Sequence, residues 1–180
     1  FFQSGDTWSL HFIAPQFLAW FYPANAEIFH AVGMLAFDRD LLSPLLNLGW
    51  FIGCLFALWC VGRPFGAGAY SVLLGALILI APLLSDQAGE ARNDIVGIFF
   101  LLAAVAMALN AAASGSGDAW RLSRGALLVA GLAAGLAAGT KLNYLLPSAA
   151  LLIGIALAAP AGARRRALGA GTLAALAGGG

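Results

Sequence analysis

The chain has 180 residues, of which 62% are hydrophobic and only 9% charged, and its mean hydropathy is +0.91. Soluble domains carry roughly 25% charged residues, so these few charges cannot coat a water-soluble globule of this size, and the composition points to a lipid bilayer. Nine Lys+Arg against eight Asp+Glu leave a formal charge of +1, which offers no basic surface for nucleic acid and no acidic tail.

In chain order, residues 1–40 read as an outer loop and not as a span. Aromatic residues (Phe1, Phe2, Trp8, Phe12, Phe17, Trp20, Phe21, Tyr22) mix there with Pro15, Pro23 and polar groups, a composition that settles at headgroup level. Pro23 suits the first turn of a helix, and 24–37 is expected to form a short juxtamembrane helix ended by Asp38-Arg39-Asp40. A spanning helix needs about 20 largely apolar residues. Five segments meet that need: 41–62, closed by Arg63-Pro64; 66–84; 95–113, closed by the turn Ser114-Gly115-Ser116-Gly117; 125–146; and 147–163, closed by Arg164-Arg165-Arg166. Residues 125–163 barely suffice for two spans, and Pro147 is the expected break between them. Another apolar segment starts at 167 and is still open at Gly180, while the chain begins at Phe1 and not at Met. A fragment of a larger polytopic protein is therefore expected. The expected fold is all-α: a polytopic transmembrane helical bundle with an N-terminal interfacial segment, in the plasma (inner) membrane.

Cys54 and Cys60 lie within one apolar stretch and read as small buried side chains, not as a disulfide or a metal pair. Gly131, Gly135 and Gly139 recur every four residues beside Ala130, Ala134 and Ala138. Such a small-residue stripe lets two helix backbones approach closely.

Because the connections alternate sides, Arg63, Arg121, Arg124 and Arg164 to Arg166 fall on one face, with Asp118. By the positive-inside rule that face is cytoplasmic. The opposite, outer face collects Asp6, Glu27, Asp38, Asp40, Asp86, Glu90 and Asp94, with Arg39, Arg92 and Lys141. Surface solvation accounts for some of these carboxylates. A binding or reaction site at that face would use them too.

No Walker A loop, dinucleotide-binding glycine loop, HExxH or Cys/His metal spacing occurs, which steers away from nucleotide-driven pumps. The most informative stretch is 85–94, where Asp86, Glu90 and Asp94 are four apart and share a face of any helical continuation. Together they would hold a divalent cation through oxygen ligands or position an acceptor hydroxyl or amine. Arg92 would pair with them or with a phosphate. The plainer alternative is a solvated loop in which Asp94 caps the third span. Lys141, beside Asn143 and Tyr144, sits near the outer end of an otherwise uncharged segment. It either holds a lipid-linked phosphate or snorkels to the headgroups. Glu27 and His30, three apart on the surface helix, form either an acid/base or metal-supporting pair or a local hydrogen bond. His11, Asp6 and Asn25 are weaker candidates, and Arg164 to Arg166 read most simply as a topology anchor.

The stretches Phe21-Tyr22-Pro23-Ala24-Asn25-Ala26-Glu27, Leu41-Leu42-Ser43-Pro44-Leu45-Leu46-Asn47, Glu90-Ala91-Arg92-Asn93-Asp94 and Gly135-Leu136-Ala137-Ala138-Gly139-Thr140-Lys141 resemble the GT-C type membrane glycosyltransferases. Within that type the chain is most similar to bacterial relatives of protein O-mannosyltransferases and of the aminoarabinose transferases that act on lipid A. The resemblance implies transfer of a sugar from a polyprenyl-phosphate donor to a lipid, glycan or protein acceptor at the outer face. It implies Asp94, with Glu90, as the second-loop acid and Lys141, with Arg92, as holders of the donor phosphate. Glu27, His30 and Tyr144 are candidate supporting residues, and whether a divalent cation shares the cationic role stays open, with Glu90 and Asp94 as its ligands in that case. The family's first-loop catalytic acid falls before Phe1, so this stretch by itself is expected to be inactive. A transporter or permease, or a non-catalytic membrane subunit, is the alternative. Transporters place broken helices and polar groups near the bilayer midplane, whereas the ionisable groups here crowd one face.

Overall fold

Leu and Ala lose little conformational freedom on entering a helix, and the long runs of them in this chain are interrupted mainly by Gly and Pro. The computed structural model describes residues 25–37, 42–79, 94–113 and 123–179. Among these residues every regular element is helical, giving an all-α fold: α1 (Asn25–Phe37), α2 (Ser43–Gly62), α3 (Gly68–Leu79), α4 (Asp94–Ala113), α5 (Arg124–Ala138), α6 (Leu145–Ala158) and α7 (Arg164–Gly179). Two stretches, Ser43–Phe65 and Asp94–Ala113, are long and apolar enough to cross a membrane; the apolar helices Gly68–Leu79, Arg124–Ala138 and Leu142–Ala158 are shorter.

The helix ends follow local chemistry. After α2 the chain makes a single 3-10 turn, Arg63–Phe65, and Gly66 then takes a left-handed φ of 66°. The Gly66 amide donates to the Arg63 carbonyl at 3.1 Å and the Ala67 amide to the Gly62 carbonyl at 3.0 Å. This paired pattern satisfies the last carbonyls of a helix and needs a residue without a Cβ at the left-handed position. At the start of α5 the Ser123 hydroxyl accepts from the Ala126 amide at 3.2 Å, a side-chain cap.

Two boundaries differ from the sequence expectation. The break within 125–163 falls at 139–144, and Pro147 lies inside the first turn of α6. A proline costs little there, because the first-turn amides have no intrahelical partner to lose. Arg164 to Arg166, expected to close a span, instead form the first turn of α7.

α2 and α4 lie side by side in the same direction. Gly53 meets the Phe99 ring, and further along the Asn110 side chain donates to the Cys60 carbonyl at 2.6 Å. At the first of these points Trp50, Phe99 and Phe100 form a ring cluster with centroids 5.2 to 5.5 Å apart. α5 and α7 are likewise parallel and pack more extensively than any other pair of described elements. Gly131 faces the Gly171 backbone and Ala174, Gly135 faces the Ala175 backbone, and Gly178 faces the Leu132 carbonyl. The small-residue stripe is thus the seam between these two helices. The Ser148 hydroxyl donates to the Ala134 carbonyl at 2.8 Å and ties α6 to α5.

Among the described residues many large apolar side chains are exposed. The buried side chains are mostly alanine, with Ser43, Asn47, Thr140 and Ser148 among them, while Phe56, Leu77, Ile78, Leu146 and Leu173 are largely exposed. Arg63, Arg124 and Arg164 to Arg166 gather at one end of the packed helices, where Ala108, Leu127, Ala159 and Ala167 meet. Asp94 and Lys141 lie at the other end.

Candidate functional site

Asp94 is the first residue of α4, where a carboxylate is favoured by the positive end of the helix dipole. Its partners come from the connection between α5 and α6. The Gly139 amide still donates to the Gly135 carbonyl at 2.7 Å, but the Thr140 amide drops back to the Ala137 carbonyl at 3.0 Å. Buried Thr140 also turns its hydroxyl onto the Leu136 carbonyl at 2.8 Å. A weak helix former followed by a residue that bonds its own backbone ends the helix here. Lys141 then becomes extended, with φ −160° and ψ 140°. A 3-10 turn follows at Leu142–Tyr144, closed by the Tyr144 amide on the Lys141 carbonyl at 2.9 Å.

This turn carries two side chains onto the start of α4. The Lys141 ammonium Nζ donates to Asp94 Oδ1 at 2.6 Å, and the Tyr144 hydroxyl donates to the Asp94 backbone carbonyl at 2.7 Å. The ring of Tyr144 lies so close over Gly97 that a Cβ there would overlap it. The Lys141 and Asp94 side chains retain 37% and 28% of their exposure, so the pair is partly accessible. An ion pair this accessible contributes only about 0–1 kcal/mol to stability. It is weak as a fastener, and an incoming phosphate can compete for the lysine.

Asp94, Lys141 and Tyr144, 47 and 50 residues apart in sequence, therefore form one cluster. Glu90 and Arg92, with Asp86, lie outside the described residues, as does the side chain of Glu27. A cation on Glu90 and Asp94 would depend on a residue that is not described, and among the described residues no group of three His, Cys, Asp or Glu gathers. His30 belongs to a different contact: it is buried, and its Nδ1 lies 2.7 Å from the Ser43 hydroxyl, joining α1 to the first turn of α2.

Sequence reading missed Gly97, whose missing side chain makes room for Tyr144, and Thr140, which sets the turn. Gly97 had a legible signal, since a residue three positions after Asp94 shares its helix face. Ser43 and Asn110, which bond across helices, had none, because small polar residues in apolar helices do not announce their partners. No family model, curated protein or solved structure matches the chain.

Proposed function

We propose that this chain is part of a polytopic membrane transferase that moves a sugar from a polyprenyl-phosphate donor to an acceptor hydroxyl or amine at its outer face. The observation that carries the reading is the Lys141–Asp94–Tyr144 cluster, half-open at the end of the helices opposite the arginines. The exposed Leu, Ile and Phe side chains around an alanine core support the membrane setting. A surface of that kind is unfavourable in water, and small residues are the ones that pack helices in lipid.

The chemistry follows from the pair. A donor phosphate reaching the site draws Lys141 away from Asp94, since an ammonium binds either anion as a point charge. Asp94, released, accepts the proton of the acceptor hydroxyl. The acceptor oxygen then bonds to the anomeric carbon as the bond from that carbon to the phosphate oxygen breaks. The departing polyprenyl phosphate keeps the electron pair, and its charge is met by Lys141. Tyr144 holds the start of α4 in place through the Asp94 carbonyl. General-base assistance of this type contributes typically about 10²–10⁴ in rate.

The test uses the full-length protein in its own membranes with a polyprenyl-phosphate sugar donor. Asp94→Asn is expected to lower transfer by roughly 10² or more at an unchanged protein level. Lys141→Ala is expected to raise KM for the donor, with partial rescue by Lys141→Arg. The doubly swapped protein, Asp94→Lys with Lys141→Asp, separates catalysis from scaffolding: it should keep the ion pair while remaining inactive. Transfer by Asp94→Asn at the wild-type rate, or recovery of transfer in the swapped protein, would reduce the pair to a structural contact.

A further inference from the structure

The arginine-bearing end holds two apolar grooves, one on each flank of the first turn of α7. The larger, about 840 Å³, lies between α5 and α7; Leu127, Leu128 and Leu173 are among its walls, and Arg124 and Arg166 line it as well. The smaller, about 220 Å³, lies between α6 and α7 against Ile153, Leu157 and Leu168, with Arg164 and Arg165. Three consecutive arginines are thus divided between the two flanks, as successive residues on a helix point in different directions. Arg164 is partly occupied already, donating from Nε to the Ala159 carbonyl at 3.2 Å. Among the described residues no carboxylate lies at this end, since Asp94 and α1, which carries Glu27, are at the other.

The larger groove is within the roughly 300–1,000 Å³ range of small-molecule sites, but its lining suits an amphiphile. Its walls are apolar and, among the described residues that line it, the charges are two guanidinium groups, whose planar forks match phosphate oxygens. A free phosphate or nucleotide would leave the leucine walls unused. A neutral or zwitterionic lipid would bring no net negative charge to the two guanidinium groups. Basic pockets between membrane helices recognise anionic headgroups in this way. We infer that the groove between α5 and α7 seats one anionic phospholipid, its phosphate between Arg124 and Arg166 and an acyl chain along Leu127, Leu128 and Leu173. The inference rests on the membrane part of the reading above and is independent of sugar transfer.

Gly169 provides the decisive variant. It lines the groove, and a Cβ added there meets nothing within 4 Å, so Gly169→Leu adds an apolar side chain at the groove wall from an open position and keeps every arginine. The experiment is native mass spectrometry of the full-length protein in detergent, titrated with phosphatidylglycerol or phosphatidylcholine. Wild type should retain phosphatidylglycerol in preference. Arg124→Gln with Arg166→Gln should weaken that retention by roughly tenfold or more, and Gly169→Leu should weaken it comparably, whereas Arg165→Gln on the other flank should change it little. Equal retention of both lipids overturns the inference. So does a drop in the arginine variant with none in Gly169→Leu, which is the signature of diffuse surface attraction. Recovery of the protein in the aqueous fraction without detergent would overturn the membrane reading along with it; a membrane-bound protein that retains no lipid overturns this inference alone.

Discussion

Tyr144 can reach the Asp94 carbonyl only because residue 97 has no side chain. The ring occupies the space a Cβ would take, and the hydroxyl bond at 2.7 Å fixes the turn that also delivers Lys141. Gly97→Ala pits a methyl group on a helix backbone against a ring that is already tethered. We expect it to cost about 1–3 kcal/mol, the usual range for overpacking. Tyr144→Phe loses only one hydrogen bond, worth about 0.5–1.5 kcal/mol. Thermal unfolding in detergent should therefore rank Gly97→Ala as the more damaging change, and the reverse order would show that the ring yields freely. At this scale the pairing of Asp94 with Lys141 is a chemical device more than a fastener, as its exposure limits its contribution to stability.

At the scale of helices, the seam between α5 and α7 depends on backbone contact. A Cβ at Gly135 would run into the Ala175 backbone, which has no rotamer by which to move aside, whereas nothing lies within 4 Å of one at Gly154 on α6. The two glycines make a matched pair. Gly135→Val is expected to lower stability by about 1–3 kcal/mol or more through forced separation of the helices. Gly154→Ala is expected to raise it by up to about 1 kcal/mol, because only helix propensity changes. Thermal midpoints of the two purified variants check this, and similar shifts for both would remove the seam as a determinant. The hydrogen bonds from Asn110 to Cys60 and from Ser148 to Ala134 supplement the seams; each is expected to contribute about 1 kcal/mol.

Among the described residues, charge is sorted by end. Arg63, Arg124 and Arg164 to Arg166 sit together, and Asp94 with Lys141 sits opposite. If the helices cross a bilayer, the two ends lie in different compartments. In a background with Cys54 and Cys60 replaced by Ala, single cysteines at the exposed positions Phe65 and Leu142 should react with a membrane-impermeant maleimide from opposite sides of sealed vesicles. Labelling of both from the same side would contradict a multi-pass arrangement with these ends.

The helical class and the apolar segments were legible in the sequence, because helix propensity and punctuation by Gly, Pro and charge are local. The Arg63-Pro64 stop and the helix over 95–113 follow from such signals, and so does the role of Gly131 and Gly135 as a packing stripe. Pro147 was misread, since whether a proline breaks a helix depends on the turn it falls in. That was decided by Thr140 and Lys141, which end α5 a few residues earlier. Asp94, Lys141 and Tyr144 were each recognisable as chemically unusual for their surroundings. Their meeting was not, since a hydrogen bond across 47 residues depends on which helices pack and in what register. The same holds for the partner of the glycine stripe and for the groove under Arg124 and Arg166. The sequence by itself determined which groups this protein has for chemistry and which segments are helical. Only the tertiary structure decided which of those groups touch, because contact between helices is set by the fit of their surfaces, a property no single segment carries.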